Sequence, residues 1–238
     1  MKGGCWLLAL GCWLGPVAAS AMPDSVTVRD SAGVSVPPAR PSTAGPWWIG
    51  VWGAMANHSG FDTRHGQRHR DVQMLGVRMG RQLTASSPLA LDYYVDVVPL
   101  IRSTNIPTAY RDVVTCDVFN RCRTDEIMET ATVRGYGVTP VGLQLRVFAG
   151  EWVQLVLGAS AGAALYDRPV PDPGEKRLNF MGDVTAGVQM RLGRSGALLA
   201  GVRHNHTSNA NTGRANPGLD SRVLYAGFTR TLGKPAPR

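Results

Sequence analysis

The sequence has no apolar run long enough to cross a membrane as a helix. Its one compact apolar stretch, Cys5 to Leu14, is far shorter than the ~20 residues a spanning helix needs. Charge is scarce too: 18% of the 238 residues are Asp, Glu, Lys or Arg, against about 25% in an ordinary soluble domain. Lysine occurs only at Lys2, Lys176 and Lys234, so arginine carries most of a net charge of +8 and a pI near 9.8. These arginines are scattered singly, without a basic run, which argues against a nucleic-acid partner. Guanidinium groups also bind phosphate well, so a phosphorylated partner fits the same charge. Cysteine is sparse as well. Of the four, Cys5 and Cys12 fall in the N-terminal stretch, leaving Cys116 and Cys122 in a polar segment. In an exported protein that pair is expected to form a loop disulfide; a metal site would want further ligands nearby, and the sequence offers none. Nor is there a carboxylate cluster of the kind calcium requires, so no cofactor is expected.

What is present points to export and to strands. Met1-Lys2, the apolar run and Ala19-Ser20-Ala21 have the layout of a cleavable secretory signal over residues 1–21, rather than of a membrane anchor. Residues 22–46 contain many Pro, Ser and Thr without periodicity and read as an irregular leader. From Trp47 the pattern changes to strand-length segments separated by turn residues, which predicts a single barrel over 47–233 and a short tail over 234–238. Val153, Leu155, Leu157, Ala159, Ala161 and Ala163 alternate with Gln154, Gly158, Ser160 and Gly162. Val184, Ala186, Val188 and Met190 alternate with Asp183, Thr185, Gly187 and Gln189. Leu89, Leu91, Tyr93, Val95 and Val97 oppose Asp92 and Asp96 until Pro99 interrupts them. Such sustained two-residue periodicity marks strands with one apolar and one polar face.

About eight such segments are expected, near 47–57, 70–83, 88–98, 132–149, 152–166, 179–193, 196–208 and 221–232. Several reach the ~9–11 residues that cross a bilayer at a tilt. Connections near 84–87, 149–152 and 193–196 are tight, whereas 99–131, 167–178 and 209–220 read as long loops. An even strand number with short turns at one end and long loops at the other predicts an all-β, eight-stranded antiparallel transmembrane barrel of the bacterial outer membrane. The alternative is a soluble lipocalin-like barrel with the apolar face inward. Small residues in the polar set favour the membrane reading, because they suit a narrow interior. Trp47, Trp48, Tyr93 and Tyr94 are expected to anchor the barrel at the membrane interfaces. His58, His65 and His69 fall in or beside a polar loop and read as solvated.

The chemistry-bearing stretch is Leu198 to Ser221. As a strand, it puts Leu198, Ala200 and Val202 on the same face as His204, His206 and Ser208, while Arg203 and Asn205 face the barrel interior. The outer face is thus apolar low down and ends in an imidazole and a hydroxyl, at the depth of a lipid's ester bonds. Residues i and i+2 of a strand lie about 7 Å apart on one side, so His206 can serve Ser208 as general base. A third group normally holds such a base in its tautomer, and Asp220 lies where a returning strand can supply it. His204 and His206 are alternatively two ligands of a metal, though no Cys or Glu nearby completes that set.

The run His206-Thr207-Ser208-Asn209, the turn Asn216-Pro217-Gly218 and the acid Asp220 together resemble the bacterial lipid A 3-O-deacylase (outer-membrane acyloxyacyl hydrolase) family. The close likeness covers about 20 residues, and the family pattern more often has Glu where this chain has Asp220. The resemblance implies Ser208 as nucleophile, His206 as base and Asp220 as orienting acid. It also implies an oxyanion site formed by the side chain of Asn216 and backbone N–H groups at or after Asn209. The implied activity is removal of an ester-linked acyl chain from lipid A, with lipopolysaccharide as partner and no cofactor. An acyltransferase, a non-catalytic barrel and a phospholipid substrate stay open, as does the choice between monomer and homodimer.

Overall fold

The computed structural model describes residues 45–56, 70–86, 88–213 and 218–233. The expected signal and most of the expected leader, His58, His65, His69, Asn216 and residues 234–238 lie outside the described residues. Eight strands follow one another: β1 (Trp47–Ala56), β2 (Val72–Ser86), β3 (Leu89–Cys116), β4 (Cys122–Val147), β5 (Val153–Tyr166), β6 (Leu178–Leu192), β7 (Gly196–Ser208) and β8 (Leu219–Thr231). Each pairs antiparallel with its sequence neighbour, and β1 pairs with β8 to close the ring. Closure leaves no open edge in the ring, the condition for a sheet to sit in hydrocarbon.

The alternation sorts side chains by face. Ile49, Val51, Leu155, Leu157, Val184, Leu198, Val202 and Leu224 cover the outside and are exposed, as lipid-facing groups should be. The inside is polar and filled. Arg78 grips Asp96 through two hydrogen bonds of 2.7 Å, and Trp52 Nε1 donates to the same carboxylate at 3.2 Å. Arg203 grips Asp183 in the same bidentate way, at 2.7 Å for both bonds, while Asn205 donates to it at 2.8 Å. Arg146 holds Asp92 nearer the tight-turn end. Guanidinium planes stack on rings: Arg78 lies 3.8 Å from the Tyr94 centroid and Arg203 lies 4.1 Å from that of Trp52. Paired charges of this kind are tolerated in a buried lumen because each carboxylate is matched in charge and in hydrogen-bond geometry.

Two expectations need correcting. Trp48 and Tyr94 do not anchor the barrel at a membrane interface; both are buried in the lumen, while Trp47 and Tyr93 point the other way. Consecutive strand residues face opposite sides, so only one of each aromatic pair could meet lipid. The segment 99–131 is not a long loop. It extends β3 and β4 into a two-stranded ribbon, in which Ile106–Cys116 pairs with Cys122–Ala131 beyond the last β2 partner, Ser103. Pro99 does not end the strand, because register shifts between Leu75 and Val77 and between Val98 and Ile101 leave it outside the ladder. At roughly 3.3 Å per residue the ribbon stands about 35 Å beyond the ring. Cys116 and Cys122, directly opposite in the register, are joined by a disulfide. At the ribbon's tip, the Arg121 N–H, the Arg121 guanidinium and the Phe119 N–H converge on Asp117 and hold its carboxyl below the usual range.

Candidate active site on the outer face

Near the long-loop end, β7 passes from apolar to polar on its outer face. Asn205, Thr207 and Asn209 are buried, whereas His204, His206 and Ser208 take the opposite parity and are more open. Asp220 lies at the start of β8, directly opposite His206 in the β7–β8 register. Directly opposed side chains have Cβ atoms only about 4.5–5.5 Å apart, and here His206 Nδ1 meets Asp220 Oδ1 at 2.8 Å. With Nδ1–H donating to the carboxylate, Nε2 is the basic nitrogen left on the ring. The two groups are 41% and 38% exposed, so they are neither sunk in the barrel nor fully solvated.

Several contacts hold this pair. A buried Arg70 donates from its guanidinium to the Asp220 backbone oxygen at 2.9 Å, tying the start of β8 to the segment before β2. Gly218, at φ +67°, brings its backbone against the His206 ring; a β-carbon there would sit 2.8 Å from Cε1. His204, diagonal to Asp220, places Nε2 3.4 Å from the same Oδ1 that His206 meets. The loop after Ser208 is anchored at Asn209, whose buried side chain donates to Glu175 and accepts the Asn211 N–H at 2.9 Å. Thr212 closes the turn by donating to the Asn209 carbonyl oxygen from both N–H and hydroxyl. The Asn209 side chain is therefore committed to the loop.

Below this cluster, on the lipid side of the wall, lies a groove of about 710 Å³. Met55, Val184, Ala186, Val202 and Leu224 supply apolar lining, and His204 and Arg222 are its polar members on the outer face. The expected site residues His206, Ser208 and Asp220 thus share one face and one end of the barrel. Gly218 belongs to the turn that carries the resemblance, whereas Arg70 and Glu175 leave no signal in the sequence, since each acts across a connection whose path is not encoded in strand periodicity. His204 was weighed only as a metal ligand; among the described residues no group of three or more His, Cys, Asp or Glu could hold a metal ion.

A closed eight-stranded ring with an apolar exterior and a charged, filled lumen defines a small bacterial outer-membrane barrel. Residues 111–229 match the family described as lipid A 3-O-deacylase (PagL), a span of half the chain. The chain belongs to that family and is an ester hydrolase of the outer membrane. The crystal structure of the outer membrane enzyme PagL shares the fold, with a TM-score of 0.51 at 18% identity over 75% of this chain and 97% of that one. Neisserial surface protein A (NspA) gives a TM-score of 0.45 at 14% identity over 80% of this chain and 100% of that one. No curated protein matches the chain.

Proposed function

We propose that the chain, exported by the signal in residues 1–21, removes the 3-O acyl chain of lipid A by serine catalysis at the rim of the barrel. The carrying observation is the 2.8 Å contact between His206 Nδ1 and Asp220 Oδ1, on the same outer face and beside the same end of β7 as Ser208. Ser208 Oγ attacks the ester carbonyl and passes its proton to His206 Nε2. The tetrahedral intermediate then collapses, and the sugar oxygen leaves with that proton. Water, deprotonated by His206, cleaves the acyl-enzyme and returns Ser208 to its starting state. Asp220 keeps Nδ1 protonated and steadies the imidazolium that forms in each half-reaction. By family resemblance, Asn216 and backbone N–H groups at or after Asn209 receive the oxyanion, those of Asn211 and Thr212 being taken up by Asn209; the Glu175–Asn209 anchor is suited to keeping that backbone still. The groove lined by Val184, Val202 and Leu224 offers the departing chain an apolar path along the barrel wall.

The test is mass spectrometry of lipid A from a Gram-negative host expressing the parent or Ser208→Ala. Loss of one hydroxyacyl mass with the parent alone supports the reading. A heavier lipid A indicates acyl transfer instead. Unchanged lipid A with a folded parent in the outer membrane refutes the assigned substrate.

A further inference from the structure

We propose that His204 is a second imidazole on Asp220, a positioning residue that aims the short aspartate at His206; the inference rests on the serine reading above. Two rings converge on one oxygen: His206 Nδ1 at 2.8 Å and His204 Nε2 at 3.4 Å from Asp220 Oδ1. The register explains the geometry. His206 is directly opposite Asp220, whereas His204 is opposite Arg222 and so lies diagonal to Asp220. Diagonal neighbours across an antiparallel pair are about 7–8 Å apart, within reach of an aromatic side chain. A carboxylate oxygen has two lone pairs, so the His206 hydrogen bond leaves one over for the attraction of His204, whose Nε2 stands at ion-pair distance, 3.4 Å, outside the ~3.2 Å reach of a good N–H···O bond.

The arrangement answers the question raised by an aspartate where the family pattern more often has glutamate. Asp220 has little reach of its own and is 38% exposed, so water competes for its oxygens and its rotamer is weakly held. Arg70 bonds its backbone oxygen at 2.9 Å and adds its positive charge to the carboxylate's surroundings. The second imidazole, on the membrane side of the first, attracts the same Oδ1 and so opposes rotation of the carboxylate toward solvent. His204 meets neither the nucleophile nor the proton in transit; its effect passes through Asp220.

A double-mutant cycle on the full-length protein folded in detergent tests this, using lipid A as substrate and kcat and KM as readouts. His204→Ala is expected to lower kcat about tenfold, equivalent to ~1.4 kcal/mol of lost transition-state stabilisation, with a smaller change in KM because its side chain also borders the groove. His204→Gln, which keeps an N–H donor at similar reach, is expected to stay within about threefold of the parent. With Asp220→Ala as background, adding His204→Ala is expected to cost less than about twofold, because the group it acts on is gone. Heat-dependent electrophoretic mobility verifies that each variant is folded; His204 is 45% exposed, so its loss leaves no buried gap. A parental kcat in His204→Ala overturns the proposal, as does a change confined to KM, an equal loss in both backgrounds, or failure of His204→Gln to recover activity. Parental activity in Asp220→Ala alone overturns the serine triad itself, and this proposal with it.

Discussion

Replacing Gly218 with alanine should damage catalysis far more than stability. Gly218 has φ +67°, in the left-handed region that L residues avoid, and an added β-carbon would lie 2.8 Å from His206 Cε1 and 3.6 Å from Nε2. Carbon atoms in ordinary contact sit about 3.5–4.0 Å apart, so the ring or the loop must yield by roughly 0.7–1.2 Å. The His206–Asp220 contact is 2.8 Å, and a retreat of that size takes it past the ~3.2 Å limit of a good N–H···O bond. Misplacement by about 1 Å in a reacting constellation costs up to ~100-fold in rate, so kcat should fall about 10- to 100-fold. The backbone penalty for alanine at this φ is about 1–2 kcal/mol. Gly193 provides the control: it has φ +62° in the β6–β7 turn, at the opposite end of the barrel, and nothing lies within 4 Å of its added β-carbon. Gly193→Ala should therefore show a similar drop in urea stability with parental turnover. Steady-state deacylation of lipid A, beside urea titration of both variants, separates the two effects. If Gly218→Ala turns over within twofold of the parent while folded, the ring is not held as described and the reasoning fails.

The remaining expectations concern the scaffold. Arg203→Leu should lower barrel stability by about 3–5 kcal/mol, because it strands Asp183 and removes a neighbour of Asp96 in the lumen. A urea-midpoint shift worth under ~1 kcal/mol would show that water already screens those carboxylates. Replacing Cys116 and Cys122 together with serine should loosen the ribbon by about 2 kcal/mol, the loop-entropy value for so short a closed loop. Trypsin should then cut faster after Arg111 and Arg123, with deacylation unchanged; an unaltered cleavage rate would mean that cross-strand pairing alone holds the ribbon.

The barrel was legible because a bilayer imposes two environments on every strand. Outward Val184, Ala186 and Val188 must be apolar, and inward Asp183, Thr185 and Gly187 must pack in a narrow polar lumen, so period two survives along each transmembrane span. That constraint disappears beyond the membrane. Beyond the buried Ile106, residues 107–116 and 122–130 of the ribbon are partly or fully exposed, so nothing enforces alternation there. Its pairing rests on backbone hydrogen bonds and on the disulfide at its end, and neither leaves a periodic trace. The expected anchors Trp48 and Tyr94 are buried in the lumen for a related reason: Tyr94 is a flat partner for Arg78, as Trp52 is for Arg203, a role that composition does not distinguish from an interfacial belt. At the site, parity alone put His204, His206 and Ser208 on one face. The pairing of Asp220 depended on how residues 209–218 turn the chain, which no strand pattern specifies. The contacts that control the imidazole arise from that turn and from register: Gly218 against one edge, Asp220 on Nδ1, and His204 beside the same carboxylate oxygen. A short acid can serve in this site only if its neighbours restrict it. The departure at Asp220 is therefore best understood together with His204, two residues before the base.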